Sequence, residues 1–324
     1  MKRLCAVLVV LTGIPFITAT PASAQAWPAK PVRIVNTFAP GGAADFLCRT
    51  VADSLTAAFG QQFYVEARPG AAGQIGVQSV MSTPPDGYNF VLTNVSMLVL
   101  APITNPKLGY DPMRDLTNIA YLGGSPIVVS VNSKSGVKTL ADFIAWGRKS
   151  QGPLTYSSSG VGSSGHLFGE SLGQKLNIRV EHVPYKGAAQ GLMDLAGGHI
   201  AFSAQTVTST AGLIRGGTLT PIAITARERM FDFPDVATFA EAGYPDLVST
   251  VWFSLSGPAG LPADIVAKVN REIAKTMTRP DVEQRLRQEG MITEALTPED
   301  LRRLIERETV FWRPVIEKAG LIEK

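Results

Sequence analysis

Residues 31–60 read PVRIVNTFAPGGAADFLCRTVADSLTAAFG. The opening PVRIVNTF is apolar and β-branched, the composition of a strand. From Asp45 to Phe59 the side chains Leu47, Val51, Leu55 and Phe59 recur every four residues, which predicts an amphipathic helix, with Gly60 as its stop. Between the two lies Phe38-Ala39-Pro40-Gly41-Gly42-Ala43-Ala44-Asp45. A Gly-rich turn that ends a strand and opens a helix presents unpaired N–H groups and a partial positive charge, a ready anion site. It is not a nucleotide loop. No Lys follows the last Gly, as a phosphate loop requires, and G-x-G-x-x-G is not met.

The alternation continues outward. QFYVEAR reads as a strand, RPGAAGQIGVQSVMSTPPDGY as a turn, a helix carrying Ile75 and Val80, and a second turn, and NFVLTN as a strand. This β-α-β-α-β order predicts a parallel sheet with right-handed crossovers. YLGGSPIVVSVNS is a long apolar run suited to a strand that leaves the first lobe. Helices in KTLADFIAWGRKS, GHLFGESLGQKL and AAQGLMDLAGG then alternate with strands PLTYSSS, IRVEHVPY, HIAFSAQ and TPIAIT, and AGLIRGG adds a short helix. STVWFSLSGPAG is a candidate return crossing. A helix starting at Pro262 carries Ile265, Val269, Ile273 and Met277 on one stripe. Thr297-Pro298-Glu299-Asp300 reads as the start of a last helix, whose packing face is expected to hold Leu301, Leu304, Ile305, Phe311 and Trp312. The expectation is an α/β protein of two lobes, residues 25–125 with 251–324 and residues 126–250, and a cleft between them. Ligands in open α/β sheets sit beyond the carboxyl ends of the strands, so the loops after strands are where a site is sought.

The first residues, MKRLCAVLVVLTGIPFITATPASAQA, have the layout of a secretory signal peptide: Lys2 and Arg3, a short apolar core, and Ala22-Ser23-Ala24 as the cleavage site. The competing reading is an uncleaved anchor, for which the apolar core is short. Cleavage after residue 24 leaves about 300 of the 324 residues, large for one core and suited to two lobes. The net charge of +3 falls to about +1 without Lys2 and Arg3. No basic excess points to nucleic acid or a membrane surface. Cys5 leaves with the signal, so Cys48 has no partner for an intramolecular disulfide and reads as a small buried residue.

Three loops after strands stand out: 38–45, then Tyr156 to His166, and Pro184-Tyr185-Lys186-Gly187. Two Gly- and Ser-rich loops facing each other from different lobes have the donors to hold a small acid as a clamp. The bland alternatives are tight turns, with Asp45 capping a helix, a flexible linker in the second loop, and a solvated Lys186. Lys186 qualifies as a ligand contact only by its position after a strand. His166 reads as a helix-start hydrogen bonder. Catalysis finds little support: G-x-S-x-G is absent, and Ser163 near His166 has no evident orienting acid. His166, His182 and His199 are far apart and form no metal-ligand pair, so neither metal nor cofactor is expected.

The chain resembles the Bug family, the periplasmic receptors of tripartite tricarboxylate transporters. The resemblance rests on WPAKPVRIV at 27–35, F-x-P-G-G-x-x-D at 38–45, PPDGYNFVL at 84–92, G-x-G-S-x-x-H-L at 160–167, VPYKG at 183–187 and SGPAGLPADIV at 256–266. It implies a two-lobe type II periplasmic binding fold and a small carboxylate held by the two Gly-rich loops, partly through backbone N–H groups and bridging water. By position it implies binding roles for Phe38, Pro40, Gly41, Gly42, Ala43 and Asp45, and for Ser158, Gly162, Ser163 and His166. The sequence departs from the family at HIAFSAQT, which lacks the acid often seen there and presents Gln205 and Thr206, and at Ala237, where Pro is common. The first departure bears on which acid is bound.

The function expected is capture of a small organic acid in the periplasm, by a monomer that delivers it to membrane permease subunits. The alternatives are an extracytoplasmic sensor presenting the ligand to a signalling protein, and an exported hydrolase.

Overall fold

The computed structural model describes residues 27–288 and 290–322; the expected signal peptide lies outside the described residues. The first half opens with strand β1 (Val32–Asn36), helix α1 (Ala43–Phe59), β2 (Phe63–Ala67), α2 (Gln74–Met81) and β3 (Asn89–Asn94). A π-helical turn, Ser96–Leu100, then runs into the short α3 (Ala101–Thr104). The long β4 (Leu116–Asn132) follows, then α4 (Leu140–Lys149), β5 (Leu154–Ser158), α5 (Ser164–Leu176), β6 (Val180–Pro184) and α6 (Ala188–Gly197). The chain continues through β7 (Phe202–Thr206), α7 (Val207–Arg215), β8 (Leu219–Ile224) and β9 (Thr250–Pro258). It closes with α8 (Ala263–Met277), α9 (Pro280–Gln288) and α10 (Pro298–Ala319).

Helix α1 starts two residues before the expected Asp45, because Ala43 and Ala44 also pack inward. It ends at Gly60, whose φ of 69° is the left-handed cap position that glycine fills without a Cβ penalty. Strands β1, β2 and β3 pair in parallel, and β9 joins β3 in antiparallel register. β4 links two sheet halves. Its residues Leu116 to Pro126 pair with β9, whereas Ile127 to Asn132 pair with β7 and β8. Beyond β7 the sheet ends in parallel strands β5 and β6. The two long apolar runs of the sequence are thus β4, which spans both sheet halves, and β9, which lies wholly in the first, between β3 and β4.

Helix α10 begins with a reciprocal capping box between Thr297 and Asp300. Its buried face is Leu301, Ile305 and Ile316, with Trp312 partly covered. Phe311 corrects the expectation: it is 59% exposed, because it falls one position off that stripe. Ile75 likewise faces outward on α2, and Val77 and Val80 fill the core instead.

Candidate functional site

The halves meet along the ends of β1, β3, β5 and β7, and the loops there touch directly. The Ala39 N–H donates to the Lys186 carbonyl at 3.0 Å. The Ala43 N–H donates to Ser209 Oγ at 3.0 Å, joining residues 166 positions apart. The Ser164 N–H donates to Ser96 Oγ at 3.0 Å, and the two hydroxyls lie 2.9 Å apart. These contacts border a cleft cavity lined by Phe38, Gly42, Ala43, Ser163, Gln205 and Thr206 among others. It measures about 40 Å³. One water needs roughly 10–15 Å³, so this space suits a molecule of a few carbons.

The first turns of α1, α5, α6 and α7 all reach this cavity, through Ala43 and Ala44, Ser164 and Gly165, Ala188, and Ser209. Each first turn carries N–H groups without an intrahelical acceptor and about half a positive charge. Helices α5 and α7 are capped by their own Ser163 and Thr206 hydroxyls. Helices α1 and α6 start at Gly42 and Gly187, which have no capping side chain. None of the residues lining the cavity carries a charge. Gln205 is 4% exposed; its Oε1 accepts from Ser159 Oγ at 3.0 Å. Its Nε2 has no hydrogen-bond partner among the described residues.

Of the residues singled out in the sequence, Phe38, Gly42, Ala43, Ser163, Gln205 and Thr206 line the cavity; Pro40, Gly41, Asp45, Ser158, Gly162, His166 and Lys186 stand outside its lining. Several of these shape the loops. Asp45 Oδ1 accepts from Asn36 Nδ2 at 3.3 Å, and Oδ2 accepts from the Gly41 N–H and from Arg49 Nε. That clasp holds the first loop in its bend, where Gly41 has a φ of 92°. Gly42, by contrast, is extended, and a Cβ there would meet Ser209 Oγ at an ordinary 3.4 Å. Lys186 offers its carbonyl to Ala39 and its side chain is exposed.

Behind the second loop lies a pair the sequence did not reveal. His166 and His182 stack with ring centroids 4.1 Å apart, and Ser158 Oγ stands 2.6 Å from His182 Nε2. The Gly162 N–H donates to His166 Nδ1 at 3.1 Å, tying the loop to the pair. Burial, with the neighbouring His166, lowers the His182 pKa to about 4, so it stays neutral. Ser158 is fully buried behind the lining residue Ser163, whose Oγ donates to Ser158 Oγ at 3.2 Å, so this Ser–His contact braces the loop. Sequence reading also passed over Asn94, Ser96, Ser159, Ser164 and Ser209 in the wall. Only Ser159 and Ser164 lay in a loop already marked as Ser-rich.

A two-lobe α/β fold with a small cavity where helix N-termini converge defines a periplasmic binding protein. Residues 47–321 match the tripartite tricarboxylate transporter family receptor, and the chain belongs to that family. It is 30% identical over 321 residues to protein BugT of Bordetella pertussis, covering 99% of this chain and 98% of BugT. Among solved structures it is similar to Rpa4515 of R. palustris with adipate, at a TM-score of 0.88, 31% identity, and 91% and 98% of the two chains. It is also similar to MatC of Rhodopseudomonas palustris with bound malate, at a TM-score of 0.85, 28% identity, and 90% and 100% coverage. The chain is thus a receptor of the tripartite tricarboxylate transporter type.

Proposed function

We propose that the receptor captures a small carboxylate in the cavity between the lobes and delivers it, without turnover, to membrane permease subunits. The observation that carries this reading is the cavity wall: it is uncharged, four helix first turns reach it, and the buried Gln205 Nε2 is a donor without a partner among the described residues. Backbone and amide donors stabilise an anion here without a counter-charge to desolvate. The N–H groups of Ala44 and Gly165, with Gln205 Nε2, supply the donors, while Phe38, Gly42, Ala43, Ser163 and Thr206 form the wall. Pro40, Gly41, Asp45, Ser158, Gly162, His166 and the Lys186 backbone act one step back by fixing the two loops. The adipate and malate held by the two similar structures are both carboxylates, which supports the class.

The lobes of this proposal divide at residues 125/126, within β4, and 250/251, at the start of β9, and hinge motion there opens the cavity. The exported chain acts as a periplasmic monomer after removal of residues 1–24. A thermal-shift screen with mono-, di- and tricarboxylates tests the assignment. An acid at a hundred times its dissociation constant adds about 2.7 kcal/mol of stability. A panel in which no carboxylate raises the melting temperature refutes it.

A further inference from the structure

The polar side chains of the cavity wall are one Asn, one Gln, one Thr and five Ser. No carboxylate is among them. The acid nearest the first loop, Asp45, is already engaged: Asn36 Nδ2 donates to one oxygen, and the Gly41 N–H and Arg49 Nε donate to the other. Gln205, 4% exposed, is one of two buried amides of the wall, beside Asn94 at 3%, whose Oδ1 accepts from the Ser96 and Met97 N–H groups. Ser159 Oγ donates to the Gln205 Oε1, which leaves Nε2 as a buried donor with no hydrogen-bond partner among the described residues. The helix first turns add further donors and partial positive charge. An ammonium brought here loses its hydration, meets groups of its own sign, and finds no carboxylate to pair with, a heavy penalty for a buried charge.

Resting on the carboxylate reading above, we infer that this cavity takes small carboxylates that lack an amino group and rejects the matching amino acids, with Gln205 as the residue that sets the preference. A carboxylate side chain at that position would reverse the local sign and accept an ammonium.

Calorimetry with matched pairs tests this: succinate against aspartate, glutarate against glutamate, propionate against alanine. In every pair with a measurable member, the acid without nitrogen should bind at least tenfold more tightly. Gln205→Glu should shrink that ratio at least tenfold, and Gln205→Leu should weaken the nitrogen-free acid about tenfold without admitting its amino partner. Melting curves confirm that each variant folds; should Gln205→Glu fail, the pairs on the unaltered protein and on Gln205→Leu still decide. Aspartate or glutamate binding as tightly as its partner, or a folded Gln205→Glu with an unchanged ratio, overturns the inference and leaves carboxylate capture standing. Silence of all six compounds and of the wider carboxylate panel overturns both.

Discussion

Gly187→Ala places a wedge between the lobes. Gly187 precedes α6 with φ 171° and ψ 174°, an extended geometry open to any residue, so the change adds no backbone strain. A Cβ there would stand 3.0 Å from Ala39 Cβ and 3.0 Å from Ala39 N on the opposing lobe. Carbon contacts are optimal at roughly 3.5–4.0 Å, so the loops must part by about half an ångström. The Ala39 N–H bond to the Lys186 carbonyl, 3.0 Å long, stretches with them. Overpacking of this kind costs about 1–3 kcal/mol. The clash arises only where the lobes meet, so the whole cost falls on closure over ligand. At about 1.4 kcal/mol per tenfold, the dissociation constant should rise about 5- to 150-fold. The assay is calorimetry with the tightest acid of the screen, alongside melting of the ligand-free protein, which should change little. Gly42→Ala is the control: its Cβ meets Ser209 Oγ at 3.4 Å and Ala188 Cβ at 3.5 Å, and should weaken binding less. Unchanged affinity in Gly187→Ala, or a fall in ligand-free melting temperature as large as the loss in binding, refutes the closure argument.

Three further outcomes are expected. Lys186→Ala should leave affinity within about threefold, since the side chain is outside the cavity wall and the carbonyl that meets Ala39 remains; a loss above tenfold, read by calorimetry, contradicts this placement. His182 has its folded pKa lowered from 6.5 to about 4, so the unfolded chain takes up the proton first on acidification; stability should be full above about pH 6.5 and fall as the pH drops toward 4. Denaturant melts at pH 7.5 and 5 measure the loss, and His182→Gln should flatten it. Cys48 is buried and burial pushes its thiol pKa up, so a thiol reagent should find no reactive group in the native protein and one after unfolding. Two reactive thiols after unfolding would mean that Cys5 is retained and that cleavage after residue 24 does not occur.

The stripe Leu47, Val51, Leu55 with its Gly60 stop, and the apolar runs that became β4 and β9, were legible because helix and strand periods are local properties of the chain. So were the two Gly-rich loops, since a strand-to-helix turn announces itself in composition. α9, a polar segment after Pro280 with Leu286 as its one buried residue, has too little apolar pattern to be read. Which loop residues face the cavity was not local at all. Asp45 and His166 sit inside the resembling motifs yet turn away, drawn to Arg49 and Asn36 in one case and to His182 in the other. Ser96 and Ser209 look like ordinary serines and carry no signal, because their roles exist only across the cleft, against Ser164 and Ala43. The sequence by itself determined most of the elements, their order and the Gly- and Ser-rich composition of the loops. Only the tertiary structure decided which donors converge, because that depends on contacts between residues 68 and 166 positions apart, which no window along the chain contains.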